Sequence, residues 1–267
     1  MYPDYFFKGI PFDQLEALKM EELPFPFVIK PAIGFFSMSV YKVDTPEEWP
    51  ETLGKIKKEV NDSQTIYPKQ VINTSDFIIE QAIEGEEFAI DCYFNESGQP
   101  VILNIMQHLF STGKDVSDRL YFTSKNIIET QLEKMEIFLK QLGELSGVVN
   151  FPSHIEVRVD KQGNVLPIEV NPMRFGGWCS SPDMAWYAFG INEYEYFFKR
   201  KRPDWESLLK EKGDSVHCIV ILDNNTGIEG KNIQSFDYKK LLSDFEKPLD
   251  IRKTDFKEYI NSAVTGN

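Results

Sequence analysis

The residues with the clearest chemical potential lie in one segment, His154-Ile-Glu-Val-Arg-Val-Asp-Lys-Gln-Gly-Asn-Val-Leu-Pro-Ile-Glu-Val-Asn171. If Gln162-Gly163 is a two-residue hairpin turn, Glu156 falls directly opposite Glu169 and His154 opposite Asn171. Side-chain alternation then gives Ile155, Val157, Val159, Leu166, Ile168 and Val170 one buried face, and His154, Glu156, Arg158, Glu169 and Asn171 the other. Like charges facing each other across a sheet cost up to about 1 kcal/mol, so the glutamates call for a cation or a proton. Two readings follow. A hard divalent ion, magnesium above all, suits two carboxylates and an amide oxygen; alternatively the face is solvated and Arg158 neutralises it. The residues that follow, Pro172-Met-Arg-Phe-Gly-Gly177, tip the balance toward a ligand. They stop the strand, let the backbone approach closely and aim Arg174 at the same region.

Upstream, Lys30 ends the apolar run Phe27-Val-Ile just before Pro31 and the Gly34 loop. It reads either as a phosphate ligand, with loop amides and Ser37 or Ser39 adding donors, or as an edge lysine reaching for water. Phe77-Ile-Ile-Glu80-Gln-Ala-Ile83-Glu-Gly85-Glu-Glu87-Phe-Ala-Ile-Asp91 predicts two strands joined by an acidic turn. A surface turn accounts for Glu84 and Glu86, but Glu80 closing an apolar strand needs another reason. A break there exposes backbone groups to an adenine edge and leaves Glu87 near a ribose.

The elements that must position these groups follow from periodicity. Residues 1–26 read as a lead-in with a short helical stretch near Phe12 to Met20. Strands are expected at 27–30 and 37–43, with a helix from the Thr45-Pro46-Glu47-Glu48 start to about Val60. Further strands follow at 76–81, 88–94 and 101–108. Ser111 to Ser124 is a loop, and Asn126 caps a helix with Ile127, Ile128, Met135, Phe138, Leu139, Leu142 and Leu145 on one face. Beyond the hairpin come helical stretches at 182–200 and 203–212, a strand at 216–222 and a helix at 237–245. Strands interrupted by a helix and then a meander indicate α+β.

In this order the lysine strand and its loop, the Glu80 to Glu87 segment, and Glu156 with Glu169-Val-Asn171-Pro resemble the ATP-grasp superfamily over about residues 27–200. The resemblance implies an ATP-grasp fold, two lobes with antiparallel sheets and packed helices enclosing the nucleotide. The divisions would be 1–26 lead-in, 27–84 small lobe, 85–200 large lobe with the metal-binding hairpin, and 201–267 the C-terminal part of the large lobe. It also implies that Lys30 meets ATP phosphate, that the Gly34 to Ser37 loop covers the phosphates, and that Glu80, Gln81 and Ile83 form the adenine hinge. Glu87 would meet the ribose, and Glu156, Glu169 and Asn171 would hold one or two Mg²⁺, or Mn²⁺.

Arg174-Phe-Gly-Gly-Trp178 looks most like carboxylate-amine ligases that join amino acids, where Arg174 would bind the carboxylate or acyl-phosphate. The implied partners are small-molecule carboxylates and amines, and the implied alternatives are an ATP-grasp kinase or a non-catalytic nucleotide-binding module. Gly34 is the single glycine of its loop, Met173 stands where relatives commonly have Arg, and only 29 residues precede Lys30. Relatives carry a substantial domain before the lysine strand, so the chain reads as a product lacking that N-terminal domain, an unusually short variant or one half of a two-chain enzyme with a partner chain. A homo-oligomer is a separate open alternative.

Composition narrows the rest. With 29 Lys+Arg against 42 Asp+Glu, the net charge of -13 opposes a nucleic-acid partner. No apolar run approaches the ~20 residues that span a bilayer, and no basic segment precedes one at Met1. The 3 cysteines, Cys92, Cys179 and Cys218, show no C-x-x-C spacing and read as reduced, buried or half-buried thiols of a cytoplasmic protein. Ser111 to Arg119 lacks Walker spacing and reads as a flap or ordinary surface. Asp183 and Trp178 follow the glycines where an acceptor would lie, while Trp186 is expected to pack the next helix. Lys199-Arg-Lys-Arg202 is expected to be solvated.

Overall fold

A computed structural model describes residues 1–33, 39–63, 73–112, 119–177, 180–222, 228 and 230–252. The chain divides into two compact units, one built on Asp4–Ala82 and the other on Ile83–Ser111 and Arg119–Ile221.

The first unit is a 4-stranded sheet in the order β1-β4-β2-β3, with β1 Phe7–Pro11, β2 Phe27–Ile33, β3 Tyr41–Val43 and β4 Asn73–Gln81. All its pairings are antiparallel. Phe27, Ile29, Val43, Phe77 and Ile79 alternate onto one fully buried face, each such side chain stabilising the fold by roughly 1.5–3 kcal/mol. Helix α1, Trp49–Ser63, covers that face with Trp49, Ile56 and Val60. The residues expected as a lead-in are part of this unit: Phe7–Pro11 is an edge strand paired with β4, and Ile10, Leu15 and Leu23 enter its core. Pro11, lacking an N–H, is tolerated there because β1 lies at the edge. The expected helix near Phe12 is a 3₁₀ turn, Phe12–Ala17. The Thr45 side chain makes no cap bond; Glu48 instead reaches back to accept from the Asp44 N–H at 2.9 Å.

The second unit is a 6-stranded sheet in the order β10-β7-β6-β5-β8-β9. Its strands are β5 Glu86–Phe94, β6 Pro100–His108, β7 Leu120–Thr123, β8 Phe151–Val159, β9 Val165–Pro172 and β10 His217–Val220. Every pairing is again antiparallel. The 22-residue helix α2, Lys125–Ser146, buries Ile127, Ile128, Met135, Phe138 and Leu139 against the face carrying Ile90, Leu103 and Ile155. Its cap is Ser124, whose hydroxyl accepts from Ile127 N–H, rather than Asn126, and Gly147 in the left-handed region ends it. The helical stretch expected over 182–200 is split into α3 Ser181–Phe189 and α4 Glu193–Phe198 by Gly190 at φ 74°. Helix α5, Trp205–Lys210, adds Trp205 and Leu209 to the same core. Helix α6, Tyr238–Ser243, follows β10. Among the described residues beyond β10, Leu222, Ile228 and residues 230–252 group with the first unit.

Among the described residues no helix is long and apolar enough to cross a membrane. Cys92 is buried, whereas Cys218 is exposed, contrary to expectation.

Candidate functional site

The hairpin brings Glu156 opposite Glu169 and His154 opposite Asn171, as the sequence predicts, but by a different route. The turn is Asp160–Asn164: Asp160 N–H donates to Asn164 O, Gly163 N–H to Asp160 O, and Asp160 Oδ1 collects the Gln162 and Asn164 amides. This longer turn shifts the pairing so that Val165 faces Val159 and Leu166 faces Arg158. A bulge opposite Glu156/Val157 then restores the expected register. Pro167, which has no N–H for the ladder, sits at that irregularity. In consequence Val165 joins the core, Leu166 moves to the polar side, and Val170 on the edge strand remains 43% exposed.

Register across the larger sheet assembles a polar lattice from neighbouring strands. His108, Glu87 and Arg158 form one row; Met106, Ala89, Glu156 and Glu169 the next; Asn104, Asp91, His154 and Asn171 the third. In the first row Glu87 is buried, its Oε1 2.9 Å from His108 Nδ1 and its Oε2 accepting from Arg158 Nε at 3.0 Å. Arg158 also donates to Ile83 O at 2.6 Å, and His108 stacks on Tyr121 at 4.1 Å between ring centres. Arg158, expected as the neutraliser of the glutamate pair, is therefore bound to Glu87 instead.

Glu156 is neutralised by His154. The imidazole Nδ1 lies 2.7 Å from Asp91 Oδ1 and its Nε2 3.3 Å from Glu156 Oε1. Burial works against the charged ring, but the Asp91 carboxylate, and then Glu156, outweigh it and push the pKa up to about 10. The ring thus hydrogen-bonds Asp91 through Nδ1 and faces Glu156 as an ion-pair partner through Nε2. Glu156 moves the other way: burial opposes ionisation, but the His154 hydrogen bond and charge, with His108 and Arg174 behind them, hold it below the usual carboxylate range. Arg174 is exposed, follows Met173 at φ 59°, and lies near enough for its charge to act on Glu156.

Two glycines keep this arrangement tight. A side chain on Gly85, at φ 137°, would strike the Val159 carbonyl, and one on Gly176 would run into the His154 ring.

Glu156 and the exposed Glu169, facing each other beside Asn171, suit a hard cation that takes one or two carboxylates and completes its shell with other oxygens. The half-buried Asn171 amide nitrogen has no hydrogen-bond partner, an orphan that a reoriented amide offering its oxygen to an ion would explain. Among the described residues no group of 3 or more His, Cys, Asp and Glu side chains forms a self-sufficient metal cage. Substrate oxygens would have to complete the shell.

In the first unit, Lys30 Nζ lies 2.6 Å from Glu80 Oε2, each side chain 21% exposed. Val28 faces Glu80, so Lys30 is its diagonal neighbour on β2. This ion pair supplies the reason for a glutamate at the end of an apolar strand. Gln81 is exposed, its N–H bonded to Phe6 O and its carbonyl accepting from Tyr5 Oη at 2.8 Å. Gly34, Ser37, Trp178 and most of the Ser111 to Arg119 loop lie outside the described residues. Trp186 is 56% exposed rather than packed. The Lys199 to Arg202 run pairs with surface acids, Lys201 with Glu195 at 2.7 Å.

Sequence reasoning missed Asp91, His108 and Glu193, and placed His154 on the polar face without assigning it a partner. One signal was available for Asp91, an acid inside the otherwise apolar strand Phe88-Ala-Ile-Asp-Cys-Tyr-Phe94.

Fold and polar faces together define an α+β class: two antiparallel sheets, one presenting a lysine–glutamate pair, the other a carboxylate pair beside an arginine loop. The chain belongs to the ATP-grasp family, whose ATP-grasp domain it matches over residues 23–182. It is similar in structure to the L-amino acid ligase from Bacillus licheniformis, at 25% identity and TM-score 0.52, covering 76% of this chain and 43% of that one. It also shares its fold with a biotin carboxylase from Campylobacter jejuni, solved as a β-γ-ATP complex, at 14% identity and TM-score 0.51, covering 79% of this chain and 44% of that one. The chain thus spans less than half the length of either relative. No curated protein matches the sequence.

Proposed function

We propose that this chain carries the ATP and metal site of a ligase that activates a carboxylate as an acyl-phosphate and joins it to an amine. The observation that carries the reading is the Glu156/Glu169 pair with Arg174 beside it, within a family-matched fold. Lys30 binds phosphate by leaving or sharing Glu80, and the Gly34 to Ser37 loop covers the phosphates. Glu80, Gln81 and Ile83 contribute the adenine hinge, and Glu87, held by His108 and Arg158, faces the ribose. Glu156, Glu169 and Asn171 would hold Mg²⁺, which would supply neutralisation of charge on the transferring phosphoryl group.

The carboxylate oxygen attacks the γ-phosphorus and ADP leaves. The amine then attacks the acyl carbon, losing a proton, and phosphate departs. Arg174 stabilises the oxyanion that develops in that second step. No protein nucleophile is needed. The likeness to an L-amino acid ligase supports amino acids or peptide-like molecules as substrates.

The test is ADP release with pairs of amino acids, alongside mass analysis of the product. ADP and an amide appearing only when carboxylate and amine are both present supports the reading. A stable phosphorylated product formed without an amine would replace it with a kinase.

A further inference from the structure

Beneath the polar lattice lie two carboxyl groups with no solvent access. Asp91 on β5 and Glu193, the first residue of α4, are both 0% exposed. Asp91 Oδ1 is fully occupied, lying 2.7 Å from His154 Nδ1 and accepting from Gly176 N–H at 3.0 Å. Asp91 Oδ2 and both Glu193 oxygens find no N–H or hydroxyl donor, and the two side chains lie within hydrogen-bonding reach of each other. Touching buried carboxylates cannot both ionise; one proton between them converts repulsion into an O–H···O bond.

Burial, then the Asp91 charge and hydrogen bond, then Asp183 on α3 all raise Glu193 well above its ordinary range, so the proton belongs on Glu193. The other charged groups around Asp91 are His154 and, through it, Glu156 on β8. Cys92, buried beside the pair, is likewise pushed up, by burial first and then by Asp91 and Glu193.

We propose that Glu193 is a positioning residue: its carboxylic acid donates to Asp91 Oδ2 and fixes Asp91, whose Oδ1 then anchors both His154 on β8 and Gly176 in the arginine loop. One buried pair would thereby set the two parts of the site in register. His154 presents Nε2 to Glu156, while the loop at Gly176 is held against the imidazole so closely that no side chain fits there. The inference rests on the metal reading of Glu156 for its functional consequence, but the proton-sharing pair itself stands on the complete burial of both carboxyl groups and on their donorless oxygens.

The experiment has two arms. Infrared spectroscopy of nucleotide-free protein at neutral pH should show the carbonyl stretch of a protonated carboxyl group, lost in Glu193→Gln. Its absence in the wild type overturns the pair whatever the protein binds. Calorimetric titration with a non-hydrolysable ATP analogue over a range of Mg²⁺ then reads the consequence. Glu193→Leu should weaken apparent Mg²⁺ affinity about tenfold or more, the scale on which outer partners of metal ligands act, while binding of the analogue in chelator stays unchanged.

Glu193→Gln, whose amide can donate to Asp91 in the same place, should restore the wild-type value. Unchanged Mg²⁺ affinity in folded Glu193→Leu, or Glu193→Gln as damaging as Glu193→Leu, would overturn the positioning role. Wild-type protein that binds the analogue without any effect of Mg²⁺ would instead overturn the metal reading, with the infrared result still deciding the pair.

Discussion

The polar faces of the two sheets solve opposite problems. On the 4-stranded sheet, Lys30 and Glu80 form a partly exposed pair across neighbouring strands, each side chain 21% exposed. Such a pair contributes ~1 kcal/mol or less and is easily exchanged for another partner. On the 6-stranded sheet, Glu87 and Asp91 are buried and every donor around them is committed: His108 and Arg158 to one, His154 and Gly176 to the other. Removing one member of such a buried set leaves an uncompensated charge, which costs several kcal/mol. A group that must let go of its neighbour to take a ligand belongs on the first kind of face. Ligands that must already be in place when the substrate arrives belong on the second.

The largest effect should come from the pair that faces solvent on the ordered sheet. Glu169→Gln is expected to abolish Mg²⁺-dependent nucleotide binding while leaving the thermal midpoint within a few degrees, as calorimetry and a melting curve would show. Equal Mg²⁺ dependence in mutant and wild type would remove the metal from the account and with it the contrast between the faces. Next, Arg174→Ala should lower turnover about 100-fold or more, the scale of lost oxyanion stabilisation, with nucleotide affinity nearly unchanged. Steady-state kinetics on a ligating substrate pair would check it, and unchanged turnover would assign the arginine elsewhere.

On the exchangeable face, Lys30→Ala should weaken nucleotide binding by roughly tenfold, the value of a charge-assisted hydrogen bond, yet shift unfolding free energy by less than about 1 kcal/mol. A large loss of stability would show that the pair is structural. The fourth effect is a slope of stability with pH. Glu193 has its folded pKa raised above 4.5 by burial and by Asp91, so the native state binds more protons than the unfolded chain above that pH. Stability should therefore fall as pH rises above 4.5, and Glu193→Gln should lack that part of the decline. Denaturant midpoints of both proteins from pH 5 to pH 8 would reveal it, and parallel curves would contradict it.

These residues also show what a single sequence discloses. The α+β order, the antiparallel strands and the Glu156/Glu169 pairing were legible because alternation and register are local properties of the chain. The pairing survives in the structure through two departures that cancel, a longer Asp160–Asn164 turn and a bulge near Pro167. The lead-in was misread because Phe7–Pro11 becomes a strand only through β4, which lies more than 60 residues away in sequence. Partner choice was likewise invisible. Arg158 sits two positions from Glu156 yet bonds Glu87, and Glu80 finds Lys30 from another strand. Glu193 lies inside the helical stretch expected over 182–200 and carries no distinguishing signal in the sequence; only its complete burial near Asp91 sets it apart.

The central claim is that the ordered face holds a metal for a nucleotide. The most direct measurement is calorimetric titration of the wild-type chain with a non-hydrolysable ATP analogue, with and without Mg²⁺. The account predicts saturable binding that strengthens at least tenfold when Mg²⁺ is present, in line with outer- and inner-sphere effects on metal-dependent affinity. Binding of equal strength in both conditions, or none in either, would contradict it.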